Sequence, residues 1–316
     1  MPLTSIYGTV YNNEKYIRSC LTSLIQVLPD FDDHYELVIV DNYSTDGTFK
    51  ILKNFAKEHK NVKLLQAKCS RGKGRDIALK NTVGDYVFCI DFDCTFEKEF
   101  GIIIEKLKRL CVKGTLWQYG FSTRDTSIEK IGGWRNLNYG EDWEFSARAI
   151  SKGVVCKRIL CPSFILNPKL KLREARYAIG IPYVIRRIKN NIDVIRGCSP
   201  TFHFLTSLIK STGSLFSPSA LMTLMSYPIL RMNRFKYSNL HCNIEFVYQK
   251  MQFIFPEDVG FPRNWLFMLW EHPKLMWNTI KKRVEELINI SKDLYFIFLN
   301  NKLVCARNLD IIKKYA

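Results

Sequence analysis

The chain has 316 residues, 47% hydrophobic and 13% aromatic, with a formal net charge of +17. That composition excludes a disordered chain and is enough to bury one full core and a second, smaller one. Ten cysteines without CxxC pairs disfavour a zinc module and favour reduced thiols, with Cys156 and Cys161 the nearest candidate disulfide.

From Met1 the chain runs straight into a strand-like segment over 5–11, with no basic n-region or apolar h-region. The expected location is therefore cytoplasmic, or the cytosolic face of a membrane. A helix over 13–28, a strand over 35–41 and a helix over 45–59 follow, then a strand over 61–66 and a helix over 74–83. A strand over 85–91, an amphipathic helix over 98–110 and a strand over 114–121 complete the alternation, before an acidic helix start over 141–151. Crossover helices of this length predict an α/β fold with a mainly parallel sheet and helices on both faces. The runs 35–40 and 86–90 are apolar along their whole length, as in strands covered on both faces.

Two motifs fall at the carboxyl ends of those strands, where open α/β sheets bind ligands. They are Val40-Asp41-Asn42-Tyr43-Ser44-Thr45-Asp46-Gly47-Thr48 and Gly84-Asp85-Tyr86-Val87-Phe88-Cys89-Ile90-Asp91-Phe92-Asp93. A doublet such as Asp91-x-Asp93 suits a divalent cation shared with a diphosphate. Between them, Arg71-Gly72-Lys73-Gly74-Arg75-Asp76 tests against the dinucleotide fingerprint and fails, because Ile77 stands where a third glycine is needed and no P-loop pattern occurs. Its glycines allow close backbone approach, and Lys73 and Arg75 offer charge for phosphate oxygens; the alternative is a solvated basic turn.

In order along the chain stand Thr9-Val10-Tyr11-Asn12, the Asp41 motif, Arg75, Gly84-Asp85-Tyr86 leading to Asp91-Phe92-Asp93, Gly132-Gly133-Trp134, and Gly140-Glu141-Asp142. This series resembles glycosyltransferase family 2. The resemblance implies a GT-A type, Rossmann-like fold, an NDP-sugar donor, a Mg²⁺ or Mn²⁺ ion, and transfer with inversion. Carried over, it implies that Thr9, Tyr11, Asp41, Arg75 and Asp91 bind the nucleotide sugar. Asp93, with Asp91, would hold the metal, Asp142 would be the general base, and Glu141 would orient the acceptor. UDP is favoured over GDP, and the acceptor is expected to be a glycan or lipid-linked. The sequence departs from the family pattern in Gly8, in Asp76 and in a short spacing from Asp93 to Asp142. For the acidic cluster alone, the plain alternative is a helix start favoured by the dipole. Trp134 and Trp143 suit either a sugar wall or the core.

Charge divides the chain. Residues 1–165 hold 24 Lys and Arg against 20 Asp and Glu, while residues 166–316 hold 23 against 10. The expected organisation is a catalytic domain over 1–165 and a basic, aromatic, mostly helical region over 166–316 for acceptor or membrane-surface contact. Helical spacing over 183–196 sets Val184, Ile185, Ile188, Ile192 and Ile195 on one face, with Arg186, Arg187, Lys189 and Arg196 largely elsewhere. Residues 202–230 form the most apolar extended stretch, but Lys210 interrupts it and Pro218 and Pro228 bound an uncharged run too short to span a bilayer, so it reads as a buried or interfacial helical hairpin with Arg231, Arg234 and Lys236 as anchors. The aromatic run 264–277 fits an interface belt or a core. Two rival functions are a sugar nucleotidyltransferase, which lacks its glycine-rich activation loop here, and a nucleic-acid-binding protein suggested by charge alone. No nucleic-acid partner is expected, because no zinc module, RRM or helix-turn-helix pattern supports one.

Overall fold

A computed structural model describes residues 3–166, 181–198, 202, 205–206, 209, 217–230, 232, 244–270, 273–299 and 302–316. The first part alternates as its sequence predicts: β1 (Thr4–Val10), α1 (Glu14–Val27), α2 (Phe31–His34), β2 (Tyr35–Asp41), α3 (Thr48–Glu58), β3 (Val62–Gln66), α4 (Arg71–Lys80) and β4 (Tyr86–Cys89). Then come β5 (Thr95–Phe96), α5 (Lys98–Leu110), β6 (Thr115–Leu116), β7 (Ser122–Thr123), α6 (Glu141–Ser151), β8 (Val155–Ile159) and β9 (Ile165–Leu166). Three further strands, β11 (Phe267–Trp270), β12 (Tyr295–Leu299) and β13 (Lys302–Ala306), follow a short β10 (Gln252–Ile254).

Eight strands form one sheet in the order β10-β8-β6-β7-β4-β1-β2-β3. β1 pairs in parallel with both β2 and β4, and only β7 runs antiparallel to its neighbours. The fold is thus the α/β, mainly parallel sheet expected, with helices on both faces. β2 explains its own uniformly apolar run: Leu37 and Ile39 join the core under α1 and α5, while Val38 and Val40 join the core under α4 and α6. Every residue of β2 is buried, as a strand covered on both faces requires.

Two predicted elements need correction. The segment 114–121 is not one strand: β6 ends at Leu116, and a tight turn with Tyr119 at φ 62° and Gly120 at φ 65° reverses the chain into β7. α4 begins at Arg71, three residues before the predicted start at 74, because Ser70 Oγ accepts from Lys73 N at 3.1 Å and caps it. The glycines read as a loop therefore sit inside its first turn. There, a Cβ on Gly72 would lie 2.1 Å from the Arg135 carbonyl oxygen, so only glycine permits that approach.

The later residues add helices Ile181–Cys198, Pro218–Leu230, Ile244–Lys250, Trp277–Ile290 and Leu309–Tyr315. They also add the antiparallel sheet β11-β13-β12. Leu266, Met268, Trp270, Ile280, Leu287 and Cys305 form a separate core there, which gives the aromatic run a core role. β10 joins the edge of the large sheet beside β8, and Glu97 bonds Lys314 and Tyr315. In helix Ile181–Cys198 the expected apolar face divides: Ile195 is buried, whereas Ile185 is 47% exposed. Asn191 Nδ2 in that helix donates to Thr223 Oγ1 at 3.1 Å, tying it to helix Pro218–Leu230. The first arm of the expected hairpin, over 202–217, and the anchors Arg231, Arg234 and Lys236 lie largely or wholly outside the described residues. Among the described residues no helix is long and apolar enough to cross a membrane. Cys156 and Cys161 are buried free thiols.

Candidate active site

The sheet's carboxyl edge gathers the predicted residues in two groups. The first lies at the ends of β1 and β2. Thr9 Oγ1 donates to the Val40 carbonyl at 2.9 Å, while Tyr11 is 58% exposed just past β1. Asn12 Oδ1 accepts from Thr45 N at 2.8 Å and Asn12 N donates to Ser44 Oγ at 3.0 Å, so the two strand ends are laced together. Asp41 is fully buried; its Oδ2 accepts from Ser44 N at 3.1 Å and from Gln66 Nε2 at 3.0 Å. Its Oδ1 has no hydrogen-bond partner among the described residues. A buried acceptor oxygen with a vacant lone pair is costly unless a ligand donor meets it.

The second group surrounds a cleft of about 370 Å³ lined by Arg75, Asp91, Trp134 and Asp142 among others. Arg75 is its hub. From α4 its Nη2 reaches Asp91 Oδ1 at 2.8 Å, just past β4, and its Nη1 reaches Glu141 Oε1 at 3.0 Å, at the start of α6. Its guanidinium also lies 5.0 Å from the Trp134 ring. Glu141 is buried, and burial pushes its carboxyl up, opposed by the guanidinium groups of Arg75 and Arg71. Asp142 lines the cleft, with its Oδ1 accepting from Trp143 N at 3.0 Å. Thus Arg75, Asp91, Glu141 and Asp142 come together, whereas Thr9, Tyr11 and Asp41 lie at the ends of β1 and β2, with Thr9 against Gly74 of α4.

Asp93 is 7% exposed, and the loop that carries it is fixed by Asn13 Nδ2 donating to the Phe92 carbonyl at 2.5 Å. Asp91, with a side chain 57% exposed, faces the cleft. The donor chemistry fits a hard divalent cation: two carboxylates at i and i+2, one open to solvent, leave positions for phosphate oxygens and water. Among the described residues no group of three or more His, Cys, Asp or Glu side chains could hold a metal, so any such ion would rely on substrate oxygens as well.

Several supporting residues escaped the sequence reading. Asp76 Oδ1 accepts from Trp134 N at 3.1 Å, so this residue positions the cleft's aromatic wall. Trp134 stacks on Phe145 at 4.3 Å and donates from Nε1 to Tyr7 Oη at 2.9 Å, which makes it both wall and core. Trp143, by contrast, meets Tyr139 edge-on. The buried pair Arg148–Glu144 holds the loop before α6, with Arg148 Nη2 donating to the Gly133 carbonyl at 2.8 Å. Trp117, Tyr119, Lys157 and Arg158 also line the cleft. Burial pushes the Cys89 thiol up to about 12, so this cleft residue is a neutral wall and not a thiolate nucleophile.

The glycosyl transferase family 2 profile matches residues 5–144. A poly(ribitol-phosphate) beta-glucosyltransferase of Bacillus spizizenii is 37% identical over 93 residues, covering 28% of this chain and 14% of that protein. The chain thus spans a small part of this relative's length. Among solved structures, residues 1–349 of S. aureus TarS, in complex with UDP-GlcNAc, superpose with a TM-score of 0.48 at 17% identity over 96% of each chain. The mannosyltransferase PcManGT of Pyrobaculum calidifontis, in complex with GDP-Man and Mn²⁺, gives 0.47 at 16% identity over 74% of this chain and 82% of that one.

Proposed function

Because residues 5–144 belong to glycosyl transferase family 2, we propose that this chain is an inverting glycosyltransferase acting on an NDP-sugar, UDP-linked in preference to GDP-linked. The observation that carries the reading is the Arg75 bridge, which sets the carboxylate after β4 and the carboxylates opening α6 against one cleft.

In this reading the nucleoside lies at the ends of β1 and β2, with Asp41 Oδ1 accepting from the base and Thr9 and Tyr11 beside it. Arg75 orients Asp91 toward the donor. Asp91 and Asp93 would hold a Mg²⁺ or Mn²⁺ ion that offsets charge on the leaving diphosphate. Asp142 removes the proton of the acceptor hydroxyl as its oxygen attacks the anomeric carbon and the bond to the diphosphate oxygen breaks on the opposite side. Glu141 sits behind it, held by Arg75. Trp134 and its neighbours exclude water from the reacting centre.

The acceptor is a glycan, free or lipid-linked, and residues 1–165 and 166–316 divide the catalytic and the acceptor or membrane work. Helix Pro218–Leu230 supports contact with an anionic membrane, since Met222, Met225 and Ile229 are exposed at helical spacing with 56%, 80% and 56% of their surface open. The helix Ile181–Cys198, tied to it through Asn191 and Thr223, carries exposed basic Arg186 and Lys189.

The deciding experiment screens the purified chain with Mn²⁺ or Mg²⁺ against UDP-, GDP- and dTDP-sugars. It reads metal-dependent thermal stabilisation and slow donor hydrolysis. A response to one donor, lost in Asp93→Asn, is expected. No response from folded protein to any donor refutes the reading.

A further inference from the structure

Arg75, Lys157 and Arg158 are the cations lining the cleft, and they differ in one respect. Arg75 is spent on Asp91 and Glu141. Lys157 and Arg158 are partly buried neighbours on β8, and neither forms an ion pair among the described residues. Lys157 Nζ instead stands 5.3 Å from the centre of the Trp117 ring. Consecutive residues of a strand point to opposite faces, so Lys157 and Arg158 each bring positive charge to the cleft from its own side of β8, and neither charge is offset by a carboxylate among the described residues.

Their place in the sheet says which anion. β8 runs parallel to β6, and β6 and β4 are both antiparallel to β7, so β8 and β4 end at the same edge. In the order β8-β6-β7-β4-β1-β2, β8 is three strands from β4 and five from β2. At about 4.8 Å per strand, that is roughly 14 Å from the Asp91 edge and roughly 24 Å from the Asp41 edge. The donor's nucleoside and diphosphate fall on the β2 and β4 side, and the base Asp142 faces the space between.

We infer that Lys157 and Arg158 form an acceptor-side anion site, and that the acceptor carries a phosphate or carboxylate near the hydroxyl that is glycosylated. The inference rests on the glycosyltransferase reading above. An ammonium and a guanidinium lining one cleft both favour an anion there, and Trp117 beside Lys157 limits how it enters.

The test is calorimetric titration of the full chain, in the presence of Mn²⁺ and whichever of UDP or GDP it binds, with three hexamers: glycerol phosphate, galacturonate and maltohexaose. Wild-type protein is expected to bind one charged hexamer at least about tenfold more tightly than maltohexaose, and which one it prefers separates phosphate from carboxylate. Lys157→Gln with Arg158→Gln is expected to abolish that preference and leave nucleotide affinity within about twofold. Lys157→Arg is expected to keep it. Equal binding of neutral and charged hexamers by wild-type protein overturns the inference. So does a double variant that loses its nucleotide affinity, because the cations then serve the donor's diphosphate. The two readings fail separately: wild-type protein that binds no nucleoside diphosphate refutes the glycosyltransferase assignment, whereas the comparison of hexamers judges the anion site.

Discussion

Arg75 Nη1 stands 3.0 Å from Glu141 Oε1, both side chains less than a tenth exposed, and this pair fastens the start of α6 to α4. Removing one partner of a buried pair leaves an uncompensated charge, a loss of about 3–5 kcal/mol. Arg75→Ala is therefore expected to lower stability by that order in urea unfolding, with Arg71 Nη1, at 3.5 Å, the cation left near Glu141 among the described residues. Arg75→Lys keeps the charge but not the fork that reaches Asp91 and Glu141 together, so an intermediate loss is expected. Equal stability of Arg75→Ala and wild type would show that the pair is not what joins the two helices.

Asp142 and Glu141 are adjacent but differ in exposure, since Asp142 faces the cleft and Glu141 is buried behind it. Asp142→Asn keeps the helix start and removes a proton acceptor. Transfer is expected to fall by about 10²–10⁴-fold, with nucleotide-dependent thermal stabilisation retained. Glu141→Gln should instead show in unfolding as well as in rate. Transfer by Asp142→Asn near the wild-type rate would move the base elsewhere.

Gly72 lets α4 meet the loop that leads into α6. Its N–H donates to the Leu137 carbonyl at 2.8 Å, and a Cβ would fall 2.1 Å from the Arg135 carbonyl oxygen. Neither backbone can yield without separating Arg75 from Glu141. Gly72→Ala is expected to cost about 1–3 kcal/mol, as overpacking does, and to reduce transfer more than Gly153→Ala. At Gly153 a Cβ meets nothing within 4 Å, although its φ of 71° carries backbone strain of its own. The comparison of rates at matched folded fraction checks it.

Legibility followed the range of the interaction. The edges of β1, β2, α1, α5 and α6 could be read within a few residues, because alternation and helical spacing are local and the buried runs are unambiguous. The split of 114–121 into two strands could not, since Thr115-Leu116-Trp117 reads as one extended run and the positive φ of Tyr119 has no sequence mark. The cap at Ser70 was visible in principle, but Gly72 and Gly74 beside it read as a loop. At the site, the acidic residues announced themselves by motif. Asp76 under Trp134, the Arg148–Glu144 pair and the cations on β8 did not, because each matters only through a neighbour distant in sequence. The pairing of β10 with β8 spans about a third of the chain and leaves no local trace.

Asp293, just after helix Trp277–Ile290, contributes an acid dependence. The Ser291 hydroxyl donates to its Oδ1, Arg307 Nε lies 3.2 Å away, and Arg263 Nη2 reaches Oδ2 at 3.0 Å. The Ser291 hydrogen bond first, and Arg307 after it, hold the Asp293 carboxyl down at about 2 against an ordinary 3.8. A depressed carboxylate stabilises the folded chain above its unfolded value and loses that stabilisation as pH falls through its folded value. The window here runs from about pH 4 down to about 2. Because the side chain is 50% exposed, solvent and salt screen the effect to about 0.2–1 kcal/mol. Asp293→Asn is thus expected to melt slightly below wild type at pH 7, with the gap closing as pH approaches 2 and shrinking in high salt. A gap that stays constant from pH 7 to 2 would assign the stabilisation to the shape of the turn and not to the charge of Asp293.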